Sequence, residues 1–426
     1  FIHLYMKVGI IGSGGREHAL CYAFKKSKRV KKIYCIPGNA GTSELAENID
    51  LDINNFELLK KFINKNKIDI IIVGPEKPLV EGIVDFLEGN KIKVFGPNKI
   101  ASKLEGSKIF TKNLCQKYNI PTAKFGVFES FEKALNFLDQ CKFPLVIKAD
   151  GLAAGKGVYI CENKNQGQQA TKEIFGGKFG EASKLLIEEF LTGEEMSFFI
   201  ISDGNSIKKF GTAQDHKRVG EGDVGLNTGG MGAYSPSRLE SNKLDEKIIY
   251  KIIKPTLKAL SDLNTNFKGF LYAGLMISEN EPYLIEYNVR MGDPECQTIL
   301  PRLKTDFFEI INATLEKKLD KLNIDWENSK TLSVVQCSNG YPESYNNNQE
   351  IKNLDKITFS ENEFLFHAGT KIEGTKIISN GGRVLNFVGK SESFKVSREI
   401  AINLIKKINW KNGFYRKDIG YKVINE

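Results

Sequence analysis

The sequence predicts an α/β protein with a parallel α/β N-terminal domain and a strand-rich C-terminal domain. Three observations carry this. The first hundred residues alternate short apolar runs with segments of helical period. One run, residues 68–73, is almost wholly apolar, as a strand covered by helices on both faces must be. From residue 145 the pattern changes to short strands separated by turns, and it is strand-rich again from residue 331 to a closing helix.

In chain order, residues 8–11 form a first strand that ends in glycines, and residues 17–26 continue as a helix. Residues 33–36 read as a second strand, and Phe56, Leu59, Phe62 and Ile63 mark one face of a helix. After the strand at 68–73 come a helix over 79–87 and a strand over 92–95. Gly74-Pro75 and Gly96-Pro97 end two of these strands. Polar residues beside them therefore belong at the carboxyl edge of the sheet, where open α/β folds bind ligands. A helix around 106–117 leads to the loop signal Ile120-Pro121-Thr122. Short strands are expected at 145–148, 158–161, 185–190, 196–201 and 207–213, together reading as a small α+β unit, with Asp203-Gly204 as a hairpin turn. Residues 163–179 are polar and lack a long apolar face, which predicts a short or mobile element. Residues 227–234 read as a glycine-dense loop, 244–260 as a helix, 270–277 and 283–287 as strands, 307–319 as an amphipathic helix and 393–408 as the closing helix.

At 426 residues the chain has room for about two to four domains. An apolar fraction of 41% beside 27% charged residues excludes a mostly disordered chain. The net charge is +9, but 52 of the basic residues are Lys and only 9 are Arg. Such scattered lysine does not form the arginine clusters that read phosphate backbones, so no nucleic-acid partner is expected. An arginine inside a glycine-rich polar segment is correspondingly informative. The seven cysteines never approach C-x-x-C spacing, and the four histidines show no paired-ligand spacing. Reduced thiols in a cytoplasmic protein without a zinc site are the expectation. No apolar run is long enough to span a bilayer, so no membrane partner is expected. Phe1–Tyr5 precede a methionine that opens directly into a strand, and are expected to derive from an alternative start or an expression remnant.

Six polar constellations carry chemistry. Gly12-Ser13-Gly14-Gly15-Arg16-Glu17-His18 joins the first strand to the first helix, where glycines and free helix N–H groups suit an anion. Glu17 stands where a dinucleotide fingerprint needs glycine, which excludes NAD and FAD. A small phosphorylated ligand or a tight structural turn remain. Gly74-Pro75-Glu76 holds a carboxylate at the sheet edge, suited to sugar hydroxyls or an amine, or else to capping a surface helix. Residues 148–157, Lys148-Ala149-Asp150-Gly151-Leu152-Ala153-Ala154-Gly155-Lys156-Gly157, are one residue short of a P-loop and precede a strand. They describe a glycine-rich hairpin laid over phosphates, with Lys148 on the strand before it. Glu188-Glu189-Phe190-Leu191, with Gly193-Glu194-Glu195, has the character of an inter-domain hinge that holds adenine and ribose, or of a solvated acidic turn. Asp215-His216-Lys217-Arg218 and residues 227–232 form a polar loop pair with a glycine nest for an anion, in which His216 reads as a positioning group rather than a base. In residues 286–295, strand period two sets Glu286, Asn288 and Arg290 on one face. A carboxylate and an amide carbonyl suit Mg²⁺ held jointly with phosphates, and the arginine suits a transferring phosphoryl group.

The stretches IGSGGREHAL (11–20), GPEKPLVEG (74–82), EGSKIFTK (105–112), IKADGLAAGKGV (147–158), EEFLTGEE (188–195), AQDHKRVGEGD (213–223), NTGGMGAYSP (227–236), EYNVRMGDPE (286–295), FHAGT (366–370) and NGGRVL (380–385) resemble, in order and density, the glycinamide ribonucleotide synthetases, the phosphoribosylamine–glycine ligases of the ATP-grasp superfamily. The resemblance implies an ATP-grasp fold: an acceptor-binding domain at 6–105, an ATP-grasp core at 106–330 with a small lid at about 125–195, and a C-terminal α+β domain at 331–426. It implies ATP-dependent ligation of glycine to 5-phosphoribosylamine through a glycyl phosphate, with ATP and Mg²⁺ (or Mn²⁺) as cofactors, in a monomer whose partners are small molecules. By the same resemblance, Lys108, Lys148, Gly151, Gly155, Lys156, Gly157, Glu188, Phe190, Leu191 and Glu195 bind the nucleotide, and Glu286 and Asn288 the metal. Gly14, Gly15, Arg16, Glu17, Glu76, Gly229, Gly230, Met231, Gly292 and Asp293 serve the other substrates. Arg290, Lys148, Asp215 and Lys217 carry catalysis, and Asp215, Lys217 and Arg290 also touch substrate. Many ATP-grasp enzymes carry a further metal carboxylate on the strand before Glu286, and here residues 271–277 have none.

Overall fold

The computed structural model describes residues 5–153 and 156–425. Near the N-terminus, Met6–Gly12, Val30–Pro37, Glu47–Asn48, Ile70–Val73 and Val94–Phe95 form a parallel sheet in the order third, second, first, fourth, fifth. The chain leaves the first strand toward one side and returns to the other, so the order reverses between Met6–Gly12 and Ile70–Val73. The turn after Gly12 and the end of the strand at Gly74 meet there, at the switch point where such sheets open a crevice. The helix expected over 79–87 is two pieces, Glu76–Val80 and Ile83–Gly89. They part at Gly82, whose φ of +93° is left-handed.

The five short strands expected between residues 145 and 213 divide between two sheets. Leu145–Ala149, Val158–Cys161 and Leu185–Glu189 join Phe125–Phe128 in a four-stranded antiparallel sheet, with helices Phe131–Leu138 and Lys164–Phe175 beside it. Glu194–Asp203 and Ile207–Asp215 leave it for the large sheet. The polar stretch 163–179 contains a regular twelve-residue helix rather than a short element. Its buried side is made of small residues, Gly167, Ala170 and Thr171 with Ile174. A Cβ on Gly167 would lie 3.3 Å from Leu138, so close approach replaces the broad apolar face that was missing from the sequence.

The large antiparallel sheet runs in the order Glu281–Asn288, Lys268–Ser278, Glu194–Asp203, Ile207–Asp215, Gly232–Ser235, Lys330–Ser338, Arg383–Ser391, Glu363–His367, with Gly413–Phe414 pairing to Lys330–Ser338. It continues without a break from the segment before residue 330 into the segment after it. Gly232–Ser235, read from sequence as loop, is the strand that makes this join, pairing with Ile207–Asp215 on one side and Lys330–Ser338 on the other. The helix expected at 244–260 spans Asn242–Asp262 with a π-turn at Ile249–Ile253. One apolar cluster ties the N-terminal sheet to the large sheet through Phe307–Leu315. Phe24 meets Phe307 at 4.7 Å between ring centroids and Phe95 meets Phe270 at 4.9 Å. The crevice at the switch point is thereby pressed against the edge of the large sheet that ends in Asn288.

The four-stranded sheet hangs on the linker between Glu189 and Glu194. Gly193 has a φ of +143° and lies against the backbone of Ile277 so closely that a Cβ there would collide with its carbonyl oxygen. Gly193→Ala is therefore expected to destabilise the protein by about 2–4 kcal/mol, from a strained φ and a backbone clash. Gly89→Ala, where a Cβ meets open space, is the control and should stay within about 0.5–1 kcal/mol of the parent. Scanning calorimetry of both variants checks it; equal midpoints would refute the hinge geometry.

Candidate active site

Three groups of side chains meet where the small sheet, the large sheet and the N-terminal sheet come together. On the small sheet, Lys148 occupies the strand Leu145–Ala149 and Glu188 the neighbouring strand, and the Lys148 ammonium sits 3.0 Å from Glu188 Oε2. Lys112, from helix Lys108–Lys117, approaches the other oxygen at 3.2 Å. All three are at most 5% exposed. Lys108 lies one turn before Lys112 and so on the same helix face. It donates to the carbonyls of Ala149 at 2.9 Å and Gly151 at 2.7 Å, the base of the glycine hairpin. Asp150 accepts from the Ser107 hydroxyl at 3.2 Å and from the Ile109 N–H at 3.3 Å, latching that base to the start of the helix. Ala149 N–H donates to Gly157 O at 2.8 Å, closing the hairpin. Gly151, at φ +87°, faces open space and Lys156 is exposed; Gly155 falls outside the described residues. Phe190 and Leu191 follow at the hinge, Phe190 being 38% exposed, and Glu195 begins the large sheet.

The second group lines a small cavity bounded by Glu195, Ser197, Asp215, Lys217, Tyr272 and Glu286. Glu286 stands opposite Gly274 on the adjoining strand, and Asn288 stands opposite Tyr272. Burial pushes the Glu286 carboxyl up, but Lys217, Lys148, Lys108 and Arg290 outweigh it and hold the group below its ordinary range. It is therefore an ionised oxygen donor at neutral pH. The Lys217 ammonium lies 3.4 Å from Glu195 Oε2. Among the described residues no group of three or more His, Cys, Asp or Glu could hold a metal by itself. Glu286 and Asn288 offer two hard oxygens, which fits an ion whose remaining ligands are phosphates and water.

The third group lies at the switch point. The strand stops at Asn288, and Arg290, two residues on, turns its Nε to within 3.3 Å of both Glu76 and Glu105. Arg290 holds the Glu76 carboxyl down to about 2, with Arg16 assisting against burial. Glu105 is more deeply buried, and burial pushes its carboxyl up to about 7 despite Arg290. It also accepts the Val289 N–H at 3.0 Å. Arg16 donates to Glu17 at 2.6 Å and to Met291 O at 3.2 Å, and its N–H reaches Asp293 Oδ2 at 3.3 Å. Glu17 also accepts from Gly14 N–H at 2.9 Å, so both its oxygens are used inside the turn. From the far end of the chain, Arg383 donates to Gly229 O and Asp293 O, both at 2.8 Å. Gly230 packs on Asp215, where a Cβ would stand 2.7 Å from Oδ1, and Gly292 packs as closely on Glu295. Burial raises both the Asp215 and the Glu295 carboxyls, with Glu295 adding to the rise at Asp215 and Asp293 to that at Glu295.

Among the described residues, the structure brings Lys108, Lys148, Lys217 and Arg290 to bear on Glu286, and Glu76 and Asp293 on Arg16 at the switch point, while two other residues singled out in the sequence turn their side chains elsewhere. Met231 is fully buried in the C-terminal core against Cys337, leaving only its backbone near the cleft. His216 is fixed by the Gly420 N–H at 3.1 Å, a structural post. Three residues beside the cleft went unread in the sequence: Glu105, Lys112 and Arg383, whereas Glu295 belongs to the segment Gly292–Glu295 expected to complete the acceptor site. Arg383, in Gly381-Gly382-Arg383, carried the signal of a rare arginine among glycines; Glu105 and Lys112 carried none beyond sitting beside the chosen residues.

Three family models cover the chain in order. The phosphoribosylglycinamide synthetase N domain matches residues 6–105, its ATP-grasp (A) domain 106–296 and its C domain 331–422. The chain is 45% identical over 420 residues to a phosphoribosylamine–glycine ligase of Mesorhizobium japonicum, covering 98% of this chain and 99% of that one. It is 46% identical over 419 residues to one of Caldanaerobacter subterraneus subsp. tengcongensis, covering 97% and 99%. The crystal structure of phosphoribosylamine–glycine ligase from Thermotoga maritima superposes with a TM-score of 0.85 at 33% identity, over 97% of this chain and 100% of that one. A biotin carboxylase complex from Campylobacter jejuni superposes at 0.73 with 16% identity, over 97% and 93%, a likeness of fold alone.

Glu105 yields a pH prediction. Its folded value near 7 lies above the ordinary 4.5. Below that ordinary value folded and unfolded chains both hold the proton; as pH rises through the window only the unfolded chain releases it. The parent should therefore lose stability relative to Glu105→Gln between about pH 4.5 and 7, by no more than about 3 kcal/mol. Thermal midpoints of both proteins at pH 5 and pH 8 measure this; a constant difference would count against it.

Proposed function

The chain belongs to the phosphoribosylglycinamide synthetase family, and we propose from that premise how its cleft divides the work of the reaction among particular residues. The reaction is the ATP-dependent ligation of glycine to 5-phosphoribosylamine, giving glycinamide ribonucleotide, ADP and phosphate, a step of purine biosynthesis. Direct amide formation is blocked because a carboxylate is a poor electrophile. In the proposed sequence the glycine carboxylate attacks the γ-phosphorus of ATP to form glycyl phosphate. The ribosyl amine then attacks the acyl carbon and phosphate leaves.

The observation that carries this is the convergence of Lys108, Lys148, Lys217 and Arg290 on Glu286. Three lysines from distant segments and an arginine four residues along its own segment act on one ionised carboxylate, an arrangement suited to a polyphosphate and a divalent cation. The hairpin Gly151–Gly157, with Lys156, would lie over the phosphates, and Gly155 belongs to it by sequence. Lys148 would face them. Lys108 holds the hairpin base through Ala149 and Gly151 and so governs where the hairpin sits. Phe190, Leu191, Glu188 and Glu195 would form the adenosine pocket at the hinge. Glu286 and Asn288 would hold Mg²⁺, or Mn²⁺, which supplies neutralisation of phosphate charge when bound. The absence of acid on Lys268–Ser278 leaves the rest of that shell to phosphate and water.

Gly14, Gly15, Arg16 and Glu76, at the sheet's switch point, with Gly292 and Asp293 packed against them, would receive the phosphoribosyl group. Asp215, Lys217 and the backbone of Gly229–Met231 would orient glycine and the amine. Asp215 faces Glu295, and a carboxyl pair with raised pKa values can accept the proton that the attacking amine releases. Arg290 would neutralise charge on the acyl phosphate. Hinge motion about residues 190–193 would close the small sheet and exclude water from that intermediate.

Two measurements test the reading. Phosphate release should require glycine together with 5-phosphoribosylamine, and other amino acids or formate should not replace glycine; turnover with another carboxylate would assign a different ligase. Arg290→Ala is expected to lower kcat about 10²–10³-fold, the usual effect of removing a charge stabiliser of a developing anion. The apparent KM for glycine should change by less than about threefold. A raised KM with normal kcat would show that Arg290 only binds.

A further inference from the structure

Lys112 is 3% exposed and reaches no open face of the cleft, yet it carries a charge into the nucleotide side of the site. Its ammonium is fixed by Thr122 Oγ1 at 2.6 Å and Ala123 O at 3.2 Å. It faces Glu188 Oε1 at 3.2 Å as a charge, since that oxygen receives no aligned hydrogen bond. It also lies 5.5 Å from the centroid of the Phe125 ring, a further cation-stabilising contact. Thr122 in turn donates to Leu284 O at 2.6 Å, anchoring this corner to the strand that carries Glu286. Lys148, by contrast, has Glu188 as its ion-pair partner at 3.0 Å and donates to no other protein acceptor among the described residues.

The charge sum is what matters. A lone Lys148–Glu188 pair would be neutral, and a neutral buried pair offers a polyphosphate little attraction. Two lysines on one carboxylate leave a formal charge of +1. Of the two, Lys112 is tied down, so the surplus is presented by Lys148. We propose that Lys112 is a positioning residue that offsets Glu188, so that Glu188 aligns Lys148 without cancelling its charge toward the nucleotide phosphates. This rests on the reading that Lys148 faces those phosphates.

The test is calorimetric binding of AMP, ADP and the β,γ-imido analogue of ATP, with magnesium, to the full chain. The parent should bind more tightly as phosphates are added. Lys112→Met should weaken the imido analogue about tenfold or more, the order expected from losing one nearby charge. AMP should change by less than about threefold, and Lys112→Arg should keep the parental series. An equal loss for AMP and the analogue would reduce Lys112 to a structural role, and an unchanged analogue would remove its role altogether; either overturns the proposal. A parent with no gain from AMP to the analogue would instead overturn the placement of Lys148. Should Lys112→Met not fold, Lys112→Met/Glu188→Gln removes one cation and one anion together and keeps the formal charge of this corner at +1 on Lys148. With the carboxylate gone along with the second lysine, the series should regain its phosphate dependence, and a flat series would again refute the charge account.

Discussion

A carboxylate withdrawn from much of its solvent stays ionised when cations come to it, and Glu286, half-buried in the cleft wall, is the carboxylate on which four cations act. Lys108 begins a helix, Lys148 lies on the small sheet, Lys217 follows a strand of the large sheet and Arg290 leaves its edge. No two of them share a secondary-structure element, so their convergence constrains how the pieces of the fold can sit. If the small sheet moved away, Lys148 would go with it and the Glu286 proton affinity would rise. The charge state of the cleft and the position of the small sheet are therefore one variable.

The large sheet supplies the fixed reference. Because Gly232–Ser235 pairs with strands from both sides, the loop bearing Gly229 and Gly230 is held between the core and the C-terminal segment. Arg383 completes this by binding carbonyls of Gly229 and Asp293 together. The C-terminal strands thus shape the side of the cleft proposed for the acceptor. Close approach does the remaining work: Gly230 and Gly292 lack side chains where the Asp215 and Glu295 carboxyls stand.

What the sequence made legible follows from period and punctuation. Four of the five strands of the N-terminal sheet were readable as apolar runs, two of them closed by Gly-Pro pairs, whereas the short polar strand Glu47–Asn48 was not. The polar segments were readable because glycines and charges alternate in them with little apolar material between. Sheet membership was not readable. Strands 185–190 and 196–201 look alike, and only tertiary packing sends one to the small sheet and the other to the large one. The helix Lys164–Phe175 was hidden because its packing depends on small residues and not on an apolar stripe. Lys112 was hidden for a related reason: one lysine among 52 carries no signal until its carboxylate is in view.

The two cation types divide the cleft between them. Lys108 and Lys148 lie on the side proposed for the nucleotide, where a compact ammonium could follow phosphates that move as the reaction proceeds. Arginines gather at the switch point: Arg16, Arg290 and Arg383 are three of only nine in the chain. Each bonds a backbone carbonyl while facing a carboxylate, a task for a planar fork with several fixed donors. A lysine at any of these positions could keep the charge but would lose the simultaneous hold on two segments. In a chain whose composition so strongly favours lysine, three of the nine arginines stand where geometry as well as charge must be fixed, at the seam between the N-terminal sheet, the large sheet and the C-terminal strands.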